Sequence, residues 1–367
     1  MKNSLTVNAS NGSYPIYLES DFSQLCECFL ALPSRYGKVL LVTDSNVAPL
    51  YLEEAAEALK DCGAAVYRYV LPAGEENKTL SHITDLYRFL IENSFDRKDC
   101  LAALGGGVIG DMTGFAAATY LRGIDFIQIP TSLLAQVDSS IGGKCGVDFE
   151  SYKNMVGAFK QPKMVYMSMH VLKTLPARQF STGMAEILKH GLIRSKDFLD
   201  ELATSRDQIL AQDPERLLSM IRTSCEIKRD VVEEDPYEKG VRAILNYGHT
   251  IGHALEKESH FELTHGEAVS LGCIAASWIS CERGLISESE LIRIEELFSS
   301  YHLPVRYTDF DIDAVLENCR HDKKAVGNTI RFILLKKMGE AFIDPTVSCN
   351  SMVSACQYLK GKGFESL

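Results

Sequence analysis

"CLAALGGGVIGDMTGFAAATYL", residues 100–121, opens on a short apolar run, passes through a cluster of glycines and ends in an apolar stretch of helical spacing. Gly105, Gly107 and Gly110 satisfy G-x-G-x-x-G between a strand-like and a helix-like segment. In that setting glycines let the backbone approach a pyrophosphate, and the helix N-terminus supplies N–H groups and partial positive charge, as from Gly107 through Val108, Ile109 and Gly110 to Asp111. The same glycines also suit a tight turn with close helix–strand packing. The strand–turn–helix context favours the nucleotide. Two features depart from the usual dinucleotide fingerprint: the loop follows a late strand, and no acidic residue is well placed about twenty positions on. Asp44, ending an earlier strand-like run, is the better candidate for a ribose hydroxyl.

Outward from this loop, residues up to about 175 alternate in type. "KVLLVTD" (38–44), "AVYRYVLP", "CLAAL" and "DFIQIP" read as buried strands, and the segments between them have helical spacing. Strand–helix alternation predicts a mostly parallel, Rossmann-like sheet with helices on its faces. After "VLKTLPARQ" helical patterns dominate; "TIRFILL" is the one clear strand candidate, with "EAFID" as its partner across "KKMG". We therefore expect an α/β nucleotide-binding domain over 1–175, a mainly α-helical metal- and substrate-binding domain over 176–367, and an active site in the cleft between them.

Composition narrows the function classes. The chain has 367 residues and a net charge of −11, which argues against general affinity for nucleic acid or anionic membranes. No run reaches the ~18 apolar residues of a membrane span. The first residues lack a basic start followed by an apolar run, so no signal peptide is expected. Eleven cysteines without a C-x-x-C are a poor disulfide or zinc-knuckle pattern and fit a cytoplasmic protein.

The second decisive stretch is "LNYGHTIGHALEKESHFELTHGEAVSLG", residues 245–272, whose four histidines include His249, His253 and His265. His249 and His253 are four apart, on one helix face. His265 lies in a turn that opens the next helix. Three histidines so close favour a metal over separate hydrogen-bonded core histidines. An inward carboxylate such as Glu186 or Glu267 would complete three ligands with an open position, the catalytic zinc pattern. Spacing leaves open which two histidines bind. H-E-x-x-H is absent, because position 250 is Thr. Polar residues elsewhere are individually ambiguous. The loop with Glu75 and Lys78 reads by itself as a solvated turn. Lys144 beside Gly142 and Gly143, Lys189 three residues after Glu186, Arg242 with Asn246, and the lysines of "HDKK" each read alone as surface charges.

Taken together, "PAGEENKT", "GGGVIGDMTGF", "YLRG", "IPTSLLAQVDSSIGGK", "KNMVGAF", "GMAEILKHG", "LNYGHTIGHALE", "HGEAV" and "DKK", in this order from Pro72 to Leu335, resemble the 3-dehydroquinate synthase family of sugar-phosphate cyclases. The resemblance implies an α/β nucleotide-binding domain followed by a helical one, and a lyase of the shikimate pathway in aromatic amino-acid biosynthesis. It would convert 3-deoxy-D-arabino-heptulosonate 7-phosphate to 3-dehydroquinate and phosphate. NAD would be used catalytically alongside one divalent metal, zinc or cobalt, in a homodimer.

Carried over by position, the resemblance makes Glu186, His249 and His265 the metal ligands and His253 a proton-handling residue, with Glu238 as a second proton carrier. Asp44, Glu75, Lys78, the loop from Gly107 to Asp111, Thr131, Ser132, Lys173 and Thr174 match cofactor-contacting positions. Asp138, Asn154, Lys189, Lys228, Arg242, Asn246 and one lysine of "DKK", Lys323, match substrate positions. Lys144 and Lys153 are expected in both roles. Arg122 matches an arginine that reaches the phosphate held by the partner subunit. Ser132 stands where the family often has Thr, and Tyr152 where it commonly has Gly. Rival readings are a related cyclase such as 2-deoxy-scyllo-inosose synthase, a metal-dependent polyol dehydrogenase, and a metal- or nucleotide-sensing protein. Lys144, Arg242 and Asn246 favour a carboxylated substrate.

Overall fold

The computed structural model describes residues 4–9, 12–150, 152–238, 240–323 and 331–361, with the backbone alone for 321–323. The chain forms two compact units, Met1–Leu175 and Pro176–Leu367.

In the first unit the strands are β1 (Ser4–Ala9), β2 (Gly12–Glu19), β3 (Lys38–Asp44), β4 (Ala65–Leu71), β5 (Cys100–Gly105), β6 (Asp125–Pro130), β7 (Lys144–Phe149), β8 (Tyr152–Phe159) and β9 (Val165–Ser168). Its helices are α1 (Leu25–Leu30), α2 (Glu53–Lys60), α3 (Leu80–Glu92) and α4 (Gly107–Thr119). Among the described residues, seven strands make one sheet in the order β1-β2-β9-β6-β5-β3-β4. All its pairings are parallel except β1 with β2. β5 is buried along its whole length, as its all-apolar sequence requires. Leu40, Val42, Leu101, Ala103, Ile109, Met112, Phe115 and Phe126 form the core between sheet and helices; burying each large apolar side chain contributes roughly 1.5–3 kcal/mol. From β3 the chain steps outward to β4, whereas β5 steps the other way to β6. The ends of β3 and β5 therefore flank a topological switch point, where open α/β sheets bind ligands. Asp44 ends β3 and Gly105 ends β5.

Two hairpins were not anticipated. β1–β2 has too short an alternation to stand out. β7–β8 is an antiparallel pair in which Gly146 faces Gly157. A Cβ on Gly157 would lie 2.5 Å from the Cys145 carbonyl oxygen, so the residues that hide the strand signal are those the close pairing needs.

The second unit contains α5 (Ala177–Arg194), α6 (Lys196–Thr204), α7 (Arg206–Leu210), α8 (Pro214–Glu234), α9 (His249–Glu258), α10 (His265–Glu282), α11 (Glu288–Ser300), α12 (Ile312–Lys323) and α13 (Cys349–Leu359). One antiparallel pair joins β10 (Phe332–Lys337) and β11 (Glu340–Asp344). α10 is apolar all round, the signature of a central helix. Its start is fixed by a capping box, Thr264 with Glu267. No helix among the described residues is long and apolar enough to cross a membrane.

Glycines set the spacing of the three helices α5, α9 and α10. A Cβ on Gly272 would fall 1.8 Å from the Gly248 carbonyl oxygen, one on Gly252 2.8 Å from the Ala268 carbonyl oxygen, and one on Gly266 2.4 Å from the Thr182 Cα. Each obstacle is backbone and cannot swing aside. Gly272→Ala gains up to about 1 kcal/mol of helix propensity but meets this overlap. It is expected to lower the unfolding free energy by roughly 2 kcal/mol or more, measured by urea denaturation; an unchanged midpoint would contradict the close approach.

Candidate functional site

The close approach of those helices brings three polar side chains together. Glu186 lies mid-α5 and is fully buried, while His249 and His265 are the first residues of α9 and α10. One ligand atom from each lies within 4.8 Å of the others. His265 Nε2 is 3.1 Å from Glu186 Oε1, and His249 Nε2 is 3.6 Å from the same oxygen. His249 Nδ1 donates to the Tyr247 carbonyl at 3.1 Å, which turns the Nε2 lone pair inward. On the far side of His265, Nδ1 is 3.6 Å from Glu256 Oε2. Lys189, one turn along α5 and 1% exposed, pairs with Glu186 Oε2.

Charge is concentrated here. Burial pushes the Glu186 carboxyl up, but Lys189 and the two imidazoles more than offset this and hold it well below the usual carboxylate range. Burial, and then the Lys189 ammonium, push His249 well below the usual imidazole value, so it stands neutral. Burial alone would lower His265 too, yet its contacts with Glu186 and Glu256 raise it to about 10. A divalent cation fits this donor set: one anionic oxygen, one neutral imidazole already presenting its lone pair, and a second imidazole whose proton a dication displaces.

His253 is exposed, its ring 4.9 Å from His249 and 5.8 Å from His265. Glu267, the alternative carboxylate, is engaged elsewhere: it caps α10 and pairs with Arg178 at 2.6 Å. Also in the second unit, Arg242 is 3% exposed and donates through Nη1 to the Pro236 carbonyl at 2.7 Å. Asn246 Nδ2 donates to Glu238 Oε1 at 2.7 Å, from a Glu238 held at φ +57°. Lys228 on α8 is buried. Lys323 and Lys324 lie outside the residues whose side chains are described.

In the first unit, Lys78 corrects the reading of its loop as a solvated turn. It is 3% exposed, and its Nζ reaches Asp111 Oδ2 at 2.7 Å, Asn154 Oδ1 at 2.5 Å and Glu75 Oε1 at 3.8 Å. One ammonium thus ties the N-terminal half of α4 to β8. Burial raises Asp111 to about 6 in spite of the Lys78 ammonium beside it. Asn154 takes a left-handed conformation, φ +52°, and its backbone N–H donates to Asp148 Oδ1 at 2.7 Å.

The glycine loop divides its labour. A Cβ on Gly105 or Gly110 would collide with Ile109 or Gln128, so these two serve close packing. Gly106 and Gly107 sit at the mouth of α4, whose first i to i−4 bond is Gly110 N–H to the Gly106 carbonyl. The earlier amides of the helix therefore precede any intrahelical acceptor. Asp44 Oδ1 accepts from the Asn46 and Val47 amides at 2.8 and 3.0 Å. Thr131 is buried and its N–H donates to the Gly105 carbonyl, while Ser132 Oγ accepts from the Ala135 amide. Thr174 Oγ1 is 2.6 Å from the Tyr51 hydroxyl. Lys144, Lys153, Lys173 and Tyr152 are exposed, and Asp138 is half-buried. Arg122 is exposed in a strained turn, with Leu121 at φ 51° and Arg122 at φ 64°.

Sequence reasoning overlooked Glu256, Asp148 and the Tyr247 carbonyl. Glu256 had a signal: it lies seven residues after His249, on the same helix face. The other two act through tertiary contacts with no local pattern.

Comparison with known proteins places this geometry in a family. The family model described as 3-dehydroquinate synthase N-terminal matches residues 68–182, and that described as 3-dehydroquinate synthase C-terminal matches 183–325. The chain is 45% identical over 349 residues to the 3-dehydroquinate synthase of Acetivibrio thermocellus, covering 95% of this chain and 97% of that one. Among solved structures it is similar to 2-epi-5-epi-valiolone synthase from Streptomyces hygroscopicus with NAD+ and Zn2+ bound (TM-score 0.88, 27% identity, 95% of this chain and 97% of that one). It is also similar to 2-deoxy-scyllo-inosose synthase complexed with carbaglucose-6-phosphate, NAD+ and Co2+ (TM-score 0.87, 28% identity, 97% of this chain and 100% of that one). The chain belongs to the 3-dehydroquinate synthase family.

Proposed function

We propose that this enzyme converts 3-deoxy-D-arabino-heptulosonate 7-phosphate to 3-dehydroquinate and phosphate, with NAD held by the first unit and one divalent cation, zinc or cobalt, by the second. The observation that carries this reading is the gathering of Glu186, His249 and His265 at the starts and middle of three close-packed helices. The substrate choice rests on similarity: 45% identity to a 3-dehydroquinate synthase against 27–28% to cyclases of other substrates.

The nucleotide's place is the switch point: Asp44 at the ribose, the amides from Gly107 to Asp111 at the pyrophosphate, and Glu75, Lys78, Thr131, Ser132, Lys173 and Thr174 around them. Glu186, His249 and His265 hold the cation. When bound, the nicotinamide supplies a reversible two-electron oxidation and the cation acts as a Lewis acid on neighbouring substrate oxygens. The substrate needs both, because the proton lost with phosphate is acidic only while the adjacent carbon 5 is a ketone.

The chain's own residues orient the substrate and manage its charge. Lys78 occupies the Asn154 carbonyl oxygen, so Asn154 presents its amide N–H groups to the phosphate. Lys153, Arg242 and a partner subunit's copy of Arg122 join it to neutralise the leaving group. The leaving phosphate takes the proton itself. The Pro236 carbonyl fixes the Arg242 guanidinium in orientation. The Glu238 carboxylate takes the Asn246 N–H, which leaves the Asn246 carbonyl oxygen to accept from a substrate hydroxyl. Lys144, Lys189 and Lys228 serve the carboxylate and hydroxyls, with Lys323 alongside, and Asp138 fixes a further hydroxyl. His253 and Glu238 carry protons during the later ring opening and aldol closure. We place the enzyme in the cytoplasm as a homodimer. The scatter of eleven cysteines without a C-x-x-C supports the first, and the exposed position of Arg122 suits its reach to a partner's phosphate.

Incubation with the heptulosonate phosphate, substoichiometric NAD and zinc should release phosphate and form dehydroquinate, with no lasting absorbance from reduced nicotinamide. Net accumulation of reduced nicotinamide would point to a dehydrogenase, and turnover of a six-carbon sugar phosphate lacking the carboxylate to another cyclase. Arg242→Ala should lower kcat roughly 100-fold or more while NAD affinity, read by fluorescence titration, changes little; equal loss of both would place Arg242 in the fold. Lys153→Ala should lower kcat to a similar extent and weaken NAD as well, in keeping with its two expected roles. A chelator should silence the enzyme and added zinc or cobalt restore it; full activity in the metal-free protein would overturn the cation's role.

A further inference from the structure

We infer that Glu256 is a positioning residue for the metal centre, holding His265 through its outer ring nitrogen; this rests on the cation reading above. Glu256 is 5% exposed, and its Oε2 lies 3.6 Å from His265 Nδ1, while His265 Nε2 faces Glu186 at 3.1 Å. The arrangement repeats what is seen at the other imidazole. His249 also turns Nε2 to Glu186 and gives Nδ1 to an acceptor, there the Tyr247 carbonyl. Both rings thus have an acceptor behind them, a carbonyl at 3.1 Å and a carboxylate at ion-pair distance, 3.6 Å, and both turn their inner nitrogens to the same Glu186 oxygen. A carboxylate behind a ligating imidazole fixes its tautomer and raises its basicity.

The placement follows from the helix geometry. Glu256 lies two turns after His249 on α9, so the helix that offers one ligand reaches across to steady the ligand at the start of α10. His253, Glu256 and His265 also have ligand atoms within 4.8 Å of one another. The carboxylate is therefore close both to the ring it steadies and to the exposed His253. Glu256 approaches His265 at Nδ1, the nitrogen opposite the one that faces Glu186, and has no part on the substrate in the proposed mechanism.

The test is zinc affinity of the metal-free protein, measured by competition with a chromophoric chelator, for the wild type, Glu256→Gln and Glu256→Asp. The visible spectrum of the cobalt-loaded forms supplies a second readout. Wild type is expected to bind one zinc per chain. Glu256→Gln should leave the metal-free protein folded, with a cooperative melt, yet weaken zinc binding about tenfold to 100-fold and shift the cobalt bands. Glu256→Asp, whose carboxylate falls short of the ring, should weaken binding as well, and it carries the test alone should the Gln variant fail to fold. Wild-type zinc affinity with an unchanged cobalt spectrum in a folded variant would overturn the inference while leaving the metal centre intact. Two zinc ions per wild-type chain, reduced to one in the variant, would also overturn it, by making Glu256 a ligand of a second ion. Failure of the wild type to bind zinc would overturn the underlying cation reading.

Discussion

Backbone-to-backbone contact among α5, α9 and α10 is the constraint on which the rest of the second unit depends. Gly272 beneath Gly248, Gly252 against Ala268 and Gly266 against Thr182 leave no space for a side chain. Because His249 and His265 are each the first residue of a helix, the same contacts set how near their rings come to Glu186. The thin spots in the core and the polar cluster are two aspects of one arrangement. A helix that is apolar all round, such as α10, would otherwise settle at the wider spacing that larger side chains impose.

Such packing places charge where water cannot relieve it. Glu186 is fully buried, and burial alone would favour its neutral form. Lys189 and the imidazoles keep it ionised, while the outer contacts of the two rings decide which nitrogen faces inward. A buried carboxylate of this kind costs stability unless it is fully partnered. Its retention in the interior is understandable as the cost of a site for a cation. The first unit uses a related device. Lys78, enclosed by Asp111, Asn154 and Glu75, joins the glycine-loop helix to the β7–β8 hairpin.

What could be read from residues alone follows the range of the physics. Periodicity is local, so "KVLLVTD" and "DFIQIP" coincide with β3 and β6, and "EAFID" lies in β11 opposite β10. The β7–β8 hairpin was hidden because Gly146 and Gly157, needed for close pairing, erase the alternation that marks a strand. The glycine motif looked out of place on a late strand. The sheet order resolves this, since β5 sits beside β3 at the switch point, and strand order is a property of topology rather than of local sequence. Spacing put His249 and His253 on one helix face, but the ring that faces Glu186 together with His249 is that of His265. That choice depends on an interhelical approach with no periodic signal. Lys78 looked like a surface charge for the same reason: its three polar partners are brought to it largely by tertiary folding.

One cation held by Glu186, His249 and His265 should be visible in anomalous diffraction at the zinc edge from crystals of the zinc-loaded enzyme. A single strong peak per chain is expected, about 2.0–2.2 Å from the two inner imidazole nitrogens and a Glu186 oxygen. A peak elsewhere, or none with the three side chains turned apart, would contradict it.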